Sequence, residues 1–318
     1  MVTIKDVAKH AGVSTATASR ALRNIGYIDK TTYEKVLKAS RELGYVPNAT
    51  AQQLKNNTVK TVGFIVSDIN NEYYMSILSD IKKMLDELGF NFFVAFSSEN
   101  PVDEEKSFRA LIASRVCAIL FTPVCNTNGS IIRIAKQNGI KVIQLFRNIY
   151  SGISSIINDD EDGCYCAAKY LLENKFKRLL LVDVDYAYLD FEEISPNRSV
   201  GFMKALKEAS ADADYEIINF PLVDYDISEL TAAVDRVQPD AVITATNRTG
   251  LEILSYIRKN NKKIKLVSFD DNEWLEFCGI SAIRQNMTAL TKAICGMISD
   301  DGATPQKETI PQILVIRQ

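Results

Sequence analysis

The stretch VSTATASRALRN, from Val13 to Asn24, combines two arginines with several small and hydroxyl-bearing side chains. Arginine can donate two hydrogen bonds to O6 and N7 of one guanine, and hydroxyls can bond bases or phosphates. The surrounding chain is basic, because residues 1–60 carry 10 basic and 4 acidic side chains, a net charge of +6. The remaining chain has a net charge of −9. A basic segment on an acidic chain indicates a polyanion-binding module, and an ordinary solvated surface helix is the alternative interpretation.

The elements that would position this stretch are three short helices. Thr3 can cap a first helix, which carries apolar residues at helical spacing and can end at Gly12 in the left-handed conformation. Ser14 can cap a second helix, Thr15–Arg23, and a third helix is expected to end near Gly44. Two helices joined by a tight glycine turn and closed by a third predict a helix-turn-helix, whose second helix enters the DNA major groove by its N-terminal end.

After these three helices, the sequence predicts a short linker and then an α/β core. Pro47 breaks the preceding helix, and Asn48 can cap a short polar helix in which Leu54 is the only large apolar residue. From Thr61 onward, helical stretches alternate with short apolar runs, which include TVGFIV, FNFFVAF, VCAILFT, KVIQLF, RLLLVDV, DAVITAT and KLVSFD. This alternation is typical of doubly wound parallel sheets. The number of units favours two lobes, with a ligand in the cleft near the carboxyl ends of the strands.

The segments TIKDVAKHAGVSTATASRAL, GYVPNATAQQL and TVGFIVSDINNEYY resemble the lactose-repressor/galactose-repressor (LacI/GalR) family of bacterial transcription regulators, and the resemblance covers the whole chain. It implies an N-terminal all-α helix-turn-helix head and a two-lobed, periplasmic-binding-protein-like α/β core with doubly wound parallel sheets. The implied units are a DNA-binding head at 1–46, a hinge helix or linker at 47–60, and an effector-binding and dimerisation core at 61–318. Within the core, we expect the N-lobe at about 61–158 and 288–309 and the C-lobe at about 159–287 and 310–318.

The resemblance also implies which side chains contact DNA. Thr15, Ala16 and Arg20 match positions that face base edges in the family. Leu54 matches a leucine that is wedged into a central minor-groove step, although a linker leucine docked on the core is the alternative. Gln52 stands where the family often has arginine, which weakens the expected attraction to the minor groove. The predicted DNA-binding residues are Ser14, Thr15, Ala16, Thr17, Arg20, Asn24, Leu54 and Lys55, of which Ser14, Thr17 and Asn24 are expected at phosphates.

Polar side chains that directly follow the predicted strands form the expected effector site. Arg198, in SPNRSVGF, matches the effector-binding arginine of the family, and Asp270 in SFDD also matches a family position. For Asp159, a helix-capping role is an equal alternative. Asp, Asn and Arg can bond paired hydroxyls, and a flat aromatic ring can cover the apolar face of a sugar. The predicted effector-binding residues are Asp68, Asn71, Tyr73, Tyr74, Arg147, Asp159, Arg198, Asn247, Asp270 and Trp274.

Departures from the family pattern lie in this same region. Arg248 replaces the acid of the usual Asn-Asp pair, and Ser268 stands where glycine is common. Together with Arg147 and Arg198, Arg248 predicts a cationic cleft. A cationic cleft points to an anionic effector, such as a sugar acid or a sugar phosphate, and a neutral sugar is the alternative.

These features together predict a homodimeric transcription regulator, a repressor of carbohydrate-use genes that binds a near-palindromic operator in double-stranded DNA. A small sugar-like effector in the cleft between the lobes is expected to control it. One alternative is a global regulator of the same family that responds to a protein co-effector. A second alternative is a solute-binding protein without DNA activity, which the basic head disfavours.

Other function classes have little support in the sequence. His10 is the only histidine, and the six cysteines form no C-x-x-C pair, so we expect no metal site and no cofactor. The acids of DDED, at Asp159–Asp162, are the single candidate for an enzyme, but they open a helix, where acids favour the helix dipole. The N-terminus does not resemble a signal peptide, and no apolar stretch reaches ~20 residues. We therefore expect a cytoplasmic protein that is not an enzyme and has no membrane partner.

Overall fold

The computed structural model describes residues 2–23, 25–45, 60–185, 198–209, 213–221, 226–300, 302 and 304–317, with only the backbone of residue 23. Within these ranges the chain packs as two units, Met1–Val59 and Lys60–Gln318. None of the helices in the described ranges combines the length and the hydropathy that a bilayer-spanning helix requires.

The described part of the first unit is a bundle of three helices, α1 (Ile4–Ala11), α2 (Thr15–Arg23) and α3 (Lys30–Glu42). The amide of Thr3 donates to Asp6 Oδ2 at 2.8 Å and fixes the start of α1, while Gly12 ends it with φ +67°. The Ser14 hydroxyl accepts from the amide of Thr17 at 3.1 Å and so caps α2. The helices enclose a small core of Val7, Ala8, Ala18, Ala21, Val36 and Ala39. The predicted helix-turn-helix is confirmed.

The second unit contains two six-stranded sheets, and the first of them defines the N-lobe. Its strands are β1 (Thr61–Val66), β2 (Asn91–Phe96), β3 (Ala118–Phe121), β4 (Lys141–Leu145), β5 (Ser154–Asn158) and β11 (Lys307–Ile310). Its helices are α4 (Glu72–Glu87), α5 (Pro101–Ala113), α6 (Gly129–Gln137) and α12 (Met287–Ser299). The sheet is parallel throughout, in the order β11-β5-β4-β3-β1-β2.

The second sheet defines the C-lobe. Its strands are β6 (Arg178–Asp185), β7 (Asp214–Pro221), β8 (Ala241–Thr244), β9 (Lys265–Phe269), β10 (Ser281–Arg284) and β12 (Ile313–Val315). Its helices are α7 (Asp160–Glu173), α8 (Arg198–Ala209), α9 (Ile227–Val237), α10 (Asn247–Lys259) and α11 (Glu273–Phe277). The order is β12-β10-β9-β8-β6-β7, and its strand pairs are parallel, as predicted, except that β12 runs antiparallel to β10 at the edge. A returning three-residue strand needs no crossover helix, which is why the closing strand can pair in this way.

Helices cover both faces of each sheet, as the doubly wound prediction requires. In β1, Val62, Phe64 and Val66 belong to the cluster that includes α4 and α12, whereas Ile65 belongs to the cluster of α5 and α6. All six residues of β1 are buried, because a central parallel strand is covered on both sides. The chain passes between the lobes after Asn158, between β10 and α12, and between β11 and β12.

The close approach of α7 and α8 in the C-lobe depends on Gly201 of α8. A Cβ atom at this position would lie 1.9 Å from the carbonyl oxygen of Glu161 in α7. Gly201→Ala should therefore force α7 and α8 apart and lower the free energy of unfolding by about 1–3 kcal/mol or more, as measured by urea denaturation.

Gly296, inside α12, is the matched control because a Cβ atom there would have no neighbour within 4 Å. Gly296→Ala should raise the free energy of unfolding by up to about 1 kcal/mol, since alanine favours helix more than glycine does. Equal stabilities of the Gly201→Ala variant and the unchanged protein would show that the helices can separate at no cost.

Candidate functional site

Helix α2 presents one face to the core of the head and the other to solvent. Ala18 and Ala21 are buried, whereas Thr15, Ala16 and Arg20 are exposed. This places the three residues that are predicted to face base edges on one accessible surface, at the N-terminal end and middle of the helix. The periodicity that buries the alanines therefore determines which side chains remain free to contact a ligand.

Of the remaining predicted DNA-binding residues, two lie at the start of α2 and three fall outside the described residues. The Ser14 and Thr17 hydroxyls lie 2.9 Å apart and hydrogen-bond to each other, so both already contribute to capping α2. Asn24, Leu54 and Lys55 lie outside the described residues.

In the second unit, a cavity opens between the two lobes at the carboxyl ends of the strands. Its volume is about 670 Å³, including the part that is open to solvent. The lining residues are Asp68, Asn70, Asn71 and Glu72 from the N-lobe and Thr246, Asn247, Arg248, Leu251 and Trp274 from the C-lobe. Four residues of the predicted effector set thus meet here, namely Asp68, Asn71, Asn247 and Trp274.

Local capping interactions hold the walls of this cavity. Asn71 Oδ1 accepts from the amide of Tyr73 at 3.0 Å and caps α4. Thr246 Oγ1 accepts from the amide of Thr249 at 3.2 Å and caps α10. Asn247 follows this cap and is only 7% exposed, and its Nδ2 atom has no hydrogen-bond partner among the described residues. A buried donor without a partner therefore lies in the wall of the cavity.

A hydrogen bond crosses the cleft beside the cavity. Asn272 Nδ2, in the C-lobe, donates to Glu72 Oε2, in the first turn of the N-lobe helix α4, at 2.8 Å. Asn272 also caps α11 through its Oδ1 atom, which accepts from the amide of Leu275 at 3.1 Å. Glu72 is thus both a wall of the cavity and a contact between the lobes.

Arg198 and Asp270 are not among the residues that line this cavity and belong to a cluster of charged groups. Arg198 Nη2 is 2.7 Å from Asp160 Oδ2, and Nη1 is 3.4 Å from Asp183 Oδ1. The guanidinium also lies over the ring of Phe269, 4.7 Å from its centroid. Burial raises the pKa of Asp160, and the charge of Arg198 opposes this effect. Arg198 therefore neutralises carboxylates of its own lobe.

Asp270 is the third carboxylate of this cluster and accepts from Gln285 Nε2 at 2.9 Å. Burial raises the pKa of Asp270 to about 7, while the charge of Arg198 opposes the rise and that of Asp160 adds to it. The described part of the chain has no group of three His, Cys, Asp or Glu side chains that could hold a metal ion. The cluster is therefore an ion-pair network, with one carboxyl group that titrates near neutral pH.

The two predicted tyrosines pack inside the N-lobe. The Tyr73 hydroxyl accepts from Asn158 Nδ2 at 2.9 Å, and its ring lies 5.2 Å from that of Phe146. Burial raises the pKa of Tyr73, and the nearby charge of Asp270 adds to the effect. Tyr74 is 5% exposed and belongs to the hydrophobic core beneath α4. Neither ring lines the open cavity.

Arg147 and Asp159 also have partners in the protein. Arg147 binds both oxygens of Glu99, at 2.9 and 2.8 Å, and donates to the carbonyl of Pro123 at 3.0 Å. Burial would raise the pKa of Glu99, but the charge and hydrogen bonds of Arg147 outweigh it and hold that pKa below its ordinary value. Asp159 Oδ1 accepts from the amide of Asp162 at 3.0 Å and caps α7. The capping alternative thus describes the contact that Asp159 makes.

These ion pairs overturn the prediction of a cationic cleft. Arg147 is neutralised by Glu99, and Arg198 faces two carboxylates. Sequence reasoning also missed Glu72, which lies in the same SDINNEYY segment as four predicted residues. The signal was available, because an acid in the first turn of a helix that starts at a strand end must lie at the edge of the cleft.

Comparisons with known proteins agree with this architecture. Residues 3–48 match the family model of "Bacterial regulatory proteins, lacI family", and residues 59–294 match "Periplasmic binding proteins and sugar binding domain of LacI family". The chain is 28% identical over 269 residues to the HTH-type transcriptional repressor PurR of Histophilus somni (strain 2336), covering 83% of this chain and 79% of that protein. It is 30% identical over 220 residues to the HTH-type transcriptional regulator DegA of Bacillus subtilis (strain 168), covering 68% and 64%.

The fold also matches a solved structure over nearly its whole length. The Lac repressor bound to ONPG in the repressed state superposes with a TM-score of 0.80 at 23% identity, covering 99% of this chain and 98% of that one. The two family models match the head and the core in the order that the structure shows, and the second alone spans more than half of the sequence. The chain belongs to the LacI family of bacterial DNA-binding transcriptional regulators.

Proposed function

We propose that this protein is a homodimeric repressor of carbohydrate-use genes, whose affinity for a near-palindromic operator is controlled by a small hydroxyl-rich effector. The observation that carries the proposal is the exposed face of α2, where Thr15, Ala16 and Arg20 stand opposite the buried alanines. A helix N-terminus with these side chains suits the major groove. The proposed phosphate contacts are Ser14, Thr17 and Asn24, and the proposed hinge contacts are Leu54 and Lys55.

The cavity between the lobes supports the effector part of the proposal. Asp68, Asn71 and Asn247 offer acceptors and donors for hydroxyls, and Trp274 offers a flat ring. A structurally similar regulator, CelR, is known in complex with cellobiose, with a TM-score of 0.66 and 21% identity. The other predicted effector residues would then act indirectly, by stabilising the structure of the lobes around the ligand. They are Tyr73, Tyr74, Arg147, Asp159, Arg198 and Asp270.

Exposed apolar side chains on both lobes support the proposed dimer. Phe93 and Val94 on β2 are 47% and 39% exposed, and Phe277 at the end of α11 is 91% exposed. Large apolar groups in contact with water favour burial against a second copy. A two-fold dimer would place two heads on two half-sites. The proposed location is the cytoplasm, where the operator lies.

Arg20→Ala tests the DNA-binding part of the proposal. It should weaken binding to the operator by about 1–3 kcal/mol and relax the preference at one base position in each half-site, because a bidentate base contact is lost. Band shift on fragments of the neighbouring genomic DNA and on random DNA, at two salt concentrations, measures both effects. Affinity should fall steeply with salt because the head is basic.

Arg41→Ala is the matched control, because Arg41 is another exposed arginine of the head, near the end of α3. It should change binding to specific and random DNA by the same factor. If Arg20→Ala also weakens both equally, Arg20 contacts only phosphates and does not recognise a base.

A further inference from the structure

We propose that the effector carries a positively charged amino group beside its hydroxyls, and that Glu72 binds this group. The inference rests on the proposed function, because it names the chemical class of the ligand for the same cavity. An amino sugar or a related hydroxylated amine is the class that fits.

The balance of charge around the cavity is the first argument. Asp68 and Glu72 line it against one basic residue, Arg248, which is exposed at the start of α10. Behind the cavity, three more carboxylates surround a single arginine; they are Asp160, Asp183 and Asp270 around Arg198. Among the described groups, two bases thus face four acids besides Asp270, whose raised pKa of about 7 keeps it partly protonated at neutral pH. Such a site attracts cations and opposes an incoming anion.

The buried arginines are committed to partners in the protein. Arg198 contacts two carboxylates and a phenyl ring, and Arg147 binds both oxygens of Glu99. A sugar phosphate or a sugar acid would have to take one of these arginines from its carboxylates. Leaving a buried carboxylate without its partner is strongly unfavourable, so neither arginine is suited to bind an anion.

The hydrogen-bonding groups of the walls define the rest of the ligand. Within the described residues, Glu72 accepts a hydrogen bond from Asn272, and a carboxylate has about four acceptor sites, so Glu72 has capacity for further donors. Asn247 lines the same cavity and is 7% exposed, and its buried Nδ2 atom has no partner among the described residues. A ligand that satisfies both needs a donor for Glu72 and an oxygen acceptor for Asn247, and an ammonium donor also matches the negative charge of Glu72. Trp274 can cover its apolar face and adds an attraction for a cation.

The position of Glu72 also connects binding to the arrangement of the lobes. An ammonium group at Glu72 would lie beside Asn272, which belongs to the other lobe. The ligand would therefore contact both lobes and favour the arrangement that brings them together. A difference in contact between two arrangements is what an effector needs in order to change DNA affinity.

Matched sugars that differ in one charged group test this proposal. D-Glucosamine, D-glucose and D-glucuronate form one set, and D-galactosamine, D-galactose and D-galacturonate form another. Trp274 is the only tryptophan of the chain and lines the cavity, so its fluorescence reports binding directly in the full-length protein. In at least one set, the protonated amine should bind about threefold to fivefold more tightly than the neutral sugar, and the acid more weakly than both. The preference for the amine should decrease as salt is added.

Glu72→Gln should abolish this preference, because glutamine keeps an acceptor for Asn272 but carries no charge. Glu87→Gln is the matched control on the exposed opposite end of α4, about 22 Å away, and should leave the preference unchanged. Tightest binding of the acid, or an amine preference that survives Glu72→Gln, overturns the proposal while the proposed function stands. If no sugar of any charge binds, the effector part of the proposed function is overturned as well, and band shift still tests the DNA-binding part independently.

Discussion

Arg198→Ala is expected to lower the free energy of unfolding by about 3–5 kcal/mol, because it leaves buried carboxylates without their counter-charge. Arg198 is 8% exposed and contacts Asp160 of α7 and Asp183 of β6 from the first turn of α8. Its removal would leave these acids repelling each other inside the C-lobe. Burial already raises the pKa of Asp160, and the loss of Arg198 would raise it further. The destabilisation should therefore be larger at high pH, where the acids must be charged.

Urea denaturation at two pH values measures this effect, and Arg109→Ala provides the matched control. Arg109 pairs with Glu105 at 2.6 Å on the surface of α5, and its side chain is 63% exposed. An exposed pair on one helix is worth about 0.3–0.5 kcal/mol, so this variant should remain close to the unchanged protein. If Arg198→Ala lowers the free energy of unfolding no more than Arg109→Ala does, the charged cluster does not stabilise the C-lobe.

The expected destabilisation changes how an effector experiment on Arg198 must be interpreted. By the family resemblance, this arginine is the effector-binding one, and a variant that no longer responds to the effector would ordinarily be taken as proof. In this structure the same side chain also joins α7, β6 and α8. Loss of the effector response in Arg198→Ala is therefore informative only alongside the measured stability. Glu72, which lies outside the cluster, is the cleaner test of ligand contact.

The head could be predicted in detail because its determinants are local in sequence. The Thr3 and Ser14 caps and the Gly12 turn each involve residues within a few positions of one another. The central strands of the core could be predicted equally well, since a buried parallel strand such as β1 is a continuous apolar run in the sequence. β7 and β11 are not among the predicted runs, because both carry polar residues and lie at the edges of their sheets.

The cleft could be predicted only in part. Its position follows from topology, and Asp68, Asn71, Asn247 and Trp274 line the cavity, while their contact with an effector stays a prediction. The partners of the arginines depend on packing between distant segments. Glu99 precedes Arg147 by 48 residues and reaches it only after β2 and β4 take their places in the sheet. No spacing in the sequence encodes that contact, and the predicted cationic cleft was wrong for this reason.

Asp270→Asn should raise stability above neutral pH and flatten its dependence on pH. Burial raises the pKa of Asp270 from 3.8 to about 7, so the folded protein holds this proton more tightly than the unfolded chain does. The resulting stabilisation is complete below about 3.8 and is lost as the pH rises through about 7. One pKa unit corresponds to 1.36 kcal/mol, so above pH 7 the charged carboxylate lowers the free energy of unfolding by up to about 4 kcal/mol. Asparagine has no charge and removes this destabilisation.

The backbone at this position also suits asparagine. Asp270 has φ +63°, in the left-handed region that asparagine enters more readily than most residues. The amide oxygen of asparagine can still accept the hydrogen bond from Gln285. The variant and the unchanged protein should therefore have similar stabilities near the acidic end of the range and diverge toward the alkaline end, as measured by urea denaturation at a series of pH values.

The neighbouring residue provides a control of opposite sign. Asp271 binds Arg317 at 2.7 and 2.9 Å and Arg284 at 2.8 Å. Burial would raise the pKa of Asp271, but these hydrogen bonds and charges outweigh it and lower that pKa. Its stabilisation is present above the unfolded pKa and is lost as the pH falls through the lowered folded value, so Asp271→Asn should destabilise the protein at neutral pH. If Asp270→Asn and Asp271→Asn shift stability in the same direction above neutral pH, the folded protein does not raise the pKa of Asp270.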